Sequence, residues 1–209
     1  MACISSRWRA EVSTLETVDC SVTAAVLSRH TSELRAVLDA ISIDTVERIV
    51  DLIVQAHSGG RHVYILGNGG SASTASHFAC DLSKATICDD RARLRVTSLT
   101  DNIALLTAWA NDTSYDRVFA EQLVSFVDPG DVVITISASG NSPNVLAAAR
   151  VARDLGAATV ALVGFSGGAL KELVDVAVHF RSNDYGVVED CQLFLEHAIT
   201  ASVRGVLVG

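Results

Sequence analysis

Positive charge is scarce in this chain of 209 residues. Sixteen lysines and arginines stand against 24 aspartates and glutamates, a formal net charge of -8. No stripe of Lys and Arg gathers along it, which excludes the electrostatic footprint of a nucleic-acid binder. Long apolar runs are missing too. Hydrophobic residues make up 49% of the chain, yet no run reaches the roughly eighteen residues of a membrane-spanning helix. That apolar surplus is expected to be buried between subunits. The five cysteines, Cys3, Cys20, Cys80, Cys88 and Cys191, are odd in number and include no CxxC pair. A reduced, cytoplasmic chain is the expectation. The opening stretch MACISSRWRAEVSTLETV lacks the apolar core of a signal peptide, so no export is expected. Residues 1–19 are read as a loose N-terminus, and no repeat or low-complexity segment follows.

What is present is a regular alternation. Leu27, Leu34, Leu38 and Ile41, then Val46, Ile49, Val50 and Ile53, recur at helical spacing. Asp44 with Glu47 reads as a capping box between them, and Gly59–Gly60 as a stop, so a helical hairpin is predicted. Five short apolar runs follow at 62–66, 94–99, 132–137, 158–164 and 175–180. Helices are predicted between them at 71–85, 102–125 (broken near Asn111), 143–155 and 168–174, and a last one at 186–206. Short apolar strands alternating with helices predict an α/β domain over 20–209, hairpin included, with a parallel sheet covered on both faces.

Ligands in such sheets bind beyond the carboxyl ends of the strands. Two loops rich in Gly and Ser fall there. In SASGNSPN, Ser137, Ser139 and Ser142 offer hydroxyls, and Ser142-Pro143 reads as a serine cap followed by proline at the first helical position. Free N–H groups at that start make a neutral cradle for phosphate. The other loop opens GNGGSASTASHFACDLSKA (67–85). Gly67-Asn68-Gly69-Gly70-Ser71-Ala72 matches the dinucleotide fingerprint GxGxxA, but the acidic residue that should end the second strand about 20 residues on is not in place. No GK[ST] follows either, so no nucleotide cofactor is expected.

His77 and Asp81 lie one helical turn apart on the helix after that loop and share a face. The last helix offers Glu189, Asp190, Gln192, Glu196 and His197. Glu189 and His197 are about 12 Å apart along a straight helix, so both reach one ion only by leaning toward a shared centre. His77, Asp81, Glu189 and His197 would then make an N/O site for zinc or a similar divalent ion. Glu196 reads as a residue of the solvated face. His30, His57, His62 and His179 read as structural.

Taken in order, GNGGSASTASHFACDL, SASGNSPNVLAAA and the spacing from Glu189 to His197 resemble the phosphoheptose isomerases, which are SIS-domain proteins. The resemblance runs from about residue 20 to 206. It implies a five-stranded parallel sheet of flavodoxin-like order, a homotetramer, and interconversion of a ketose phosphate and an aldose phosphate, with sedoheptulose 7-phosphate as the first candidate substrate. By the same resemblance Ser137, Ser139 and Ser142 hold the phosphate. Asn68, Gly69, Gly70, Ser71, Asp101 and Glu189 contact substrate, and Asp81 and His197 form the acid–base pair. One divalent ion per subunit, zinc first, is implied at His77, Asp81, Glu189 and His197. The chain departs from the family pattern in having Asp81 for glutamate, Glu189 for glutamine, Gly186 for aspartate and Ala138 for a hydroxyl residue. Two other readings stay open: a non-catalytic SIS protein that binds sugar phosphates or a replication initiator, and an isomerase of a related sugar such as an octulose phosphate.

Overall fold

The computed structural model describes residues 20–89 and 91–208; the loose N-terminus expected at 1–19 lies outside them. Helices α1 (Cys20–Asp39) and α2 (Ile43–Ser58) form the hairpin. They are followed by β1 (His62–Gly67), α3 (Gly70–Ala85), β2 (Arg95–Ser98), α4 (Ile103–Asp112), a 3-10 turn at Tyr115–Arg117, α5 (Ala120–Phe126), β3 (Val132–Ser137), α6 (Pro143–Asp154), β4 (Ala158–Val163), α7 (Gly168–Leu173), β5 (Val176–His179) and α8 (Tyr185–Val208). The sheet order is β2-β1-β3-β4-β5, with every pairing parallel. This is the flavodoxin-like order that the family resemblance implies.

β3 is buried along its whole length, because a central parallel strand is covered on both faces. Val132, Ile134 and Ile136 face one core with Ile49 and Ile53 of α2, Phe78 and Leu82 of α3, and Leu195 and Ile199 of α8. Val133 faces the other core, with Leu123 of α5 and Val145, Ala148 and Ala152 of α6. Thr135 sits fully buried in the sheet because its hydroxyl donates to the Val160 carbonyl at 2.8 Å. The predicted capping box is replaced by a simpler cap: Ser42 is the N-cap of α2, its oxygen accepting from the Thr45 N–H at 3.3 Å. The predicted helix at 102–125 is broken at Thr113–Ser114. Between them lie a C-cap with φ -125 and ψ -92 and an extended residue with φ -163 and ψ 161, neither of which continues a helix.

Glycine is required where β1 hands over to α3. A Cβ on Gly67 would stand 2.7 Å from the Ser71 carbonyl oxygen and 2.9 Å from that of Ile136. The helix therefore folds back over the strand end with no room for a side chain. Gly69 takes φ 56 at the N-cap of α3, a left-handed conformation that glycine adopts without strain. The sequence GNGG thus places the first turn of α3 directly above the carboxyl end of the sheet.

Candidate active site

The two glycine- and serine-rich loops meet. The Asn68 and Asn144 side-chain amides exchange hydrogen bonds, each donating Nδ2 to the other's Oδ1 at 2.9 Å. Tyr115 adds its hydroxyl to Asn68 Oδ1 at 3.1 Å. Between the loops lies a cavity of ≈150 Å3 whose walls include Asn68, Ser71, Ser137, Ser139, Ser142 and Glu189. The hydroxyl oxygen of Ser137 accepts from the Gly140 N–H, and that of Ser139 from the Asn141 N–H, both at 3.2 Å. Each hydroxyl proton is then left to donate outward, which suits an acceptor-only ligand such as phosphate. Ser142 is the N-cap residue of α6, but its hydroxyl makes no cap bond, so its oxygen too is available to the cavity. Ser71 is buried and donates to Gln192 Oε1 at 3.3 Å; Gln192 in turn donates to the Leu162 carbonyl at 3.2 Å. Ser71 and Gln192 thereby tie α3 to α8 and to the sheet.

α3 and α8 lie side by side and point the same way. Gly70 meets Glu189 at their starts, His77 meets Glu196 midway, and Ala85 shares a cavity wall with Arg204 near their ends. About two turns, or roughly 10 Å, beyond the serine cavity, the groove between them holds four titratable side chains. His77, Asp81, Glu196 and His197 each offer a ligand atom, all within 4.8 Å of one another. His77 Nε2 stands 3.7 Å from Asp81 Oδ1, and His197 Nε2 stands 3.8 Å from Asp81 Oδ2. Glu196 Oε1 lies 3.5 Å from His77 Nδ1 and 3.1 Å from His197 Nε2. The two imidazoles meet edge to face with centroids 5.0 Å apart.

Glu196 corrects two expectations. It is fully buried, not on a solvated face, and it, not the expected Glu189, completes the cluster. Its Oε1 stands close to the two imidazoles but makes no hydrogen bond of good geometry, and neither Oε2 nor Thr200 Oγ1, one turn further along α8, has a hydrogen-bond partner. Burial, then the nearby Asp81 carboxylate, push the Glu196 carboxyl up to about 8 from its ordinary 4.5. A buried carboxyl in that state calls for a partner it can bind when ionised. The sequence did carry a signal: Gln192, Leu195, Ile199 and Val203 mark the buried stripe of α8, and Glu196 falls one turn after Gln192 on that stripe.

The other expected residues divide. Asn68, Ser71, Ser137, Ser139, Ser142 and Glu189 line the serine cavity. Gly70 adjoins it through Glu189, whose carboxyl lies so close that a Cβ at 70 would collide with all three of its terminal atoms. Gly69 shapes the turn. Asp101 is placed elsewhere. The turn after β2 folds it back onto the flank of α3, where Ser76 donates to its Oδ1 in a short hydrogen bond and Thr100 donates at 3.3 Å. It lines a separate hollow with Ser76, Cys80 and Ser98. His30, read as structural, pairs with Asp190 at 2.6 Å and so pins α1 to α8.

Known proteins share this architecture. The family model for the SIS domain matches residues 29–164. The phosphoheptose isomerase of Mycobacterium tuberculosis is 40% identical over 83% of this chain and 88% of its own length. That of Aliarcobacter butzleri is 37% identical over 81% and 89%. Among solved structures, the phosphoheptose isomerase of Neisseria gonorrhoeae superposes with a TM-score of 0.81 at 26% identity, covering 88% of this chain and 98% of that one. Fold, motif order and sequence identity over most of both chains agree: the chain belongs to the SIS-domain family of phosphoheptose isomerases.

Proposed function

We propose that this protein interconverts sedoheptulose 7-phosphate and D-glycero-D-manno-heptose 7-phosphate. The carrying observation is the α3–α8 groove. A neutral, hydroxyl-lined cavity suited to phosphate opens one end of it, and a His, Asp, Glu, His cluster lies about 10 Å further along. That separation fits an extended sugar phosphate held by its phosphate, with the carbonyl end among the titratable groups.

The reaction moves a proton between C1 and C2 through an enediol. Asp81 is the proposed base that takes the proton from C1 while His197, the acid, delivers one to the C2 oxygen; Asp81 then returns its proton to C2 as His197 recovers one from the C1 oxygen. Their 3.8 Å separation lets both reach one pair of adjacent carbons. Ser137, Ser139 and Ser142 anchor the phosphate, and that remote binding orients the reacting end.

The cluster also fits a divalent cation. Two imidazoles and two carboxylates are a zinc-type donor set, and the orphaned oxygens of Glu196 gain partners when such an ion is bound. His77, Asp81, Glu196 and His197 would hold it, and it would supply positive charge for the oxygen that becomes negative during proton transfer, taking the part that His197 plays as acid when no ion is bound. We further place the protein in the cytoplasm as a homotetramer. Its described cysteines are unpaired, and no helix among the described residues is long and apolar enough to cross a membrane.

The test is turnover of sedoheptulose 7-phosphate by zinc-loaded protein and by Asp81→Ala and His197→Ala. Each variant is expected to lose on the order of 100-fold or more in kcat while still binding inorganic phosphate. A wild type that binds the sugar phosphate and never converts it would overturn the proposal and favour a sugar-phosphate-binding role.

A further inference from the structure

Away from the α3–α8 groove, the turn of the helical hairpin, α7 and the edge strand β5 enclose a second cavity of ≈400 Å3. It shares no wall residue with the serine cavity. Its titratable wall residues are Lys171, His179 and Arg181, and no carboxylate lines it. That is unexpected in a chain with 24 acidic residues against 16 basic ones. Neither Lys171 nor Arg181 makes an ion pair among the described residues. The carboxylates that could neutralise them are placed otherwise. Asp44 and Glu172 are exposed and outside the wall, and Glu33 of α1 accepts a short hydrogen bond from Ser182, the residue after Arg181. The remaining polar groups are set in place. The stem of Lys171 lies across Gly167, where a Cβ would meet its Cδ at 2.7 Å. His179 donates from Nε2 to the Phe165 carbonyl at 2.8 Å, which leaves Nδ1 open to a ligand. Ser42, the N-cap of α2, and Thr45 bring the start of that 16-residue helix into the same wall, and its dipole adds positive potential there.

We infer that this cavity is a second anion site, and that it takes a small organic phosphate. The phosphate lies by Lys171 and Arg181, and the carbon body lies against Val37, Ile41 and Val178 of the apolar wall. Two cations with no counter-charge, beside a helix start, are matched by a doubly charged acceptor. The volume of ≈400 Å3 falls among small-molecule pockets, and a bare inorganic phosphate fills only its polar side. The site differs in kind from the serine cavity. That one offers neutral hydroxyls, whereas this one offers charge, so its affinity is the one that falls as salt is raised.

The probes are inorganic phosphate and phenyl phosphate. Each is titrated by calorimetry into the wild type, Lys171→Met, Arg181→Gln and the double variant, with folding checked by circular dichroism. Lys171→Met keeps an apolar stem over Gly167 and removes the charge. Binding in the serine cavity is common to all four proteins, so the difference between wild type and double variant reports this site alone. Each single substitution is expected to weaken that component about tenfold, as loss of a hydrogen bond from a charged group implies, and the double variant to abolish it. Phenyl phosphate is expected to bind there about tenfold more tightly than inorganic phosphate, because its ring buries apolar surface. No step reads turnover, so the outcome is independent of whether the protein isomerises a sugar phosphate. Isotherms that the double variant leaves unchanged, or phenyl phosphate no tighter than inorganic phosphate in the component it removes, overturn the inference.

Discussion

At the scale of the residue, the cluster turns on two carboxylates whose reach differs. Asp81 has a shorter side chain than the glutamate the family pattern carries, and it stands 3.7 and 3.8 Å from the two imidazoles without hydrogen-bonding either. Glu196 approaches the same imidazoles from the core side at 3.5 and 3.1 Å. One carboxylate is drawn back and another is brought in from below, so the donor set keeps two. Because burial raises the Glu196 carboxyl to about 8, the folded, metal-free protein holds a proton there that the unfolded chain releases above its ordinary 4.5. The folded state binds more protons across that window, so stability falls as pH rises from about 4.5 to about 8. Metal affinity runs the other way, since the ligand must be deprotonated. Chemical denaturation of metal-stripped protein at several pH values should show that slope, and Glu196→Gln should flatten it. The same variant should lose most of its zinc on dialysis, whereas Glu189→Gln should keep it. Equal retention by both would remove Glu196 from the ligand set.

At the scale of the element, the strand-to-helix corner decides whether cavity and cluster share a groove. Gly67→Ala sets a methyl 2.7 and 2.9 Å from two backbone carbonyl oxygens, neither of which can rotate away. The start of α3 must shift, and a cost of about 1–3 kcal/mol is expected, the range of overpacked sites. A drop in Tm by thermal unfolding, with inorganic phosphate binding weakened at temperatures where the variant is still folded, checks this. Such corners were legible in the sequence because glycine marks them and because apolar periodicity switches from strand to helix across them. β3 spans 132–137 and α6 begins at Pro143, both where composition placed them. The apolar stripe of α8 pointed toward Glu196, but a carboxylate reads as surface because charged side chains are seldom buried unless paired. Only the packing of α8 between α3 and the hairpin shows the stripe to be wide enough to take it in. Asp101 illustrates the same limit. Its position after β2 is a matter of sequence, but the turn that folds it toward Ser76 is set by tertiary packing.

At the scale of the whole molecule, too much apolar surface is left uncovered. α4, with the sequence IALLTAWAND, has no buried residue, and Ile103 is 70% exposed. α1 buries only Val37 and leaves Leu27 63% and Val22 58% exposed. These are two distinct faces, since α1 lies against α8 through His30 and Asp190 whereas α4 follows β2 at the opposite edge of the sheet. Two unlike apolar faces on one subunit are what a closed assembly with two kinds of interface requires, and a tetramer of dihedral symmetry is the smallest of that kind. Burying a side chain such as Leu27 in a contact is worth roughly 1.5–3 kcal/mol, so a charge placed there acts on assembly before it acts on the fold. Leu27→Glu and Ile103→Glu are each expected to shift the species seen by light scattering from the proposed tetramer to a dimer, with the circular dichroism spectrum unchanged, and the double variant is expected to run as a monomer. A wild type that remains monomeric at micromolar concentration would leave both faces without the partner proposed for them.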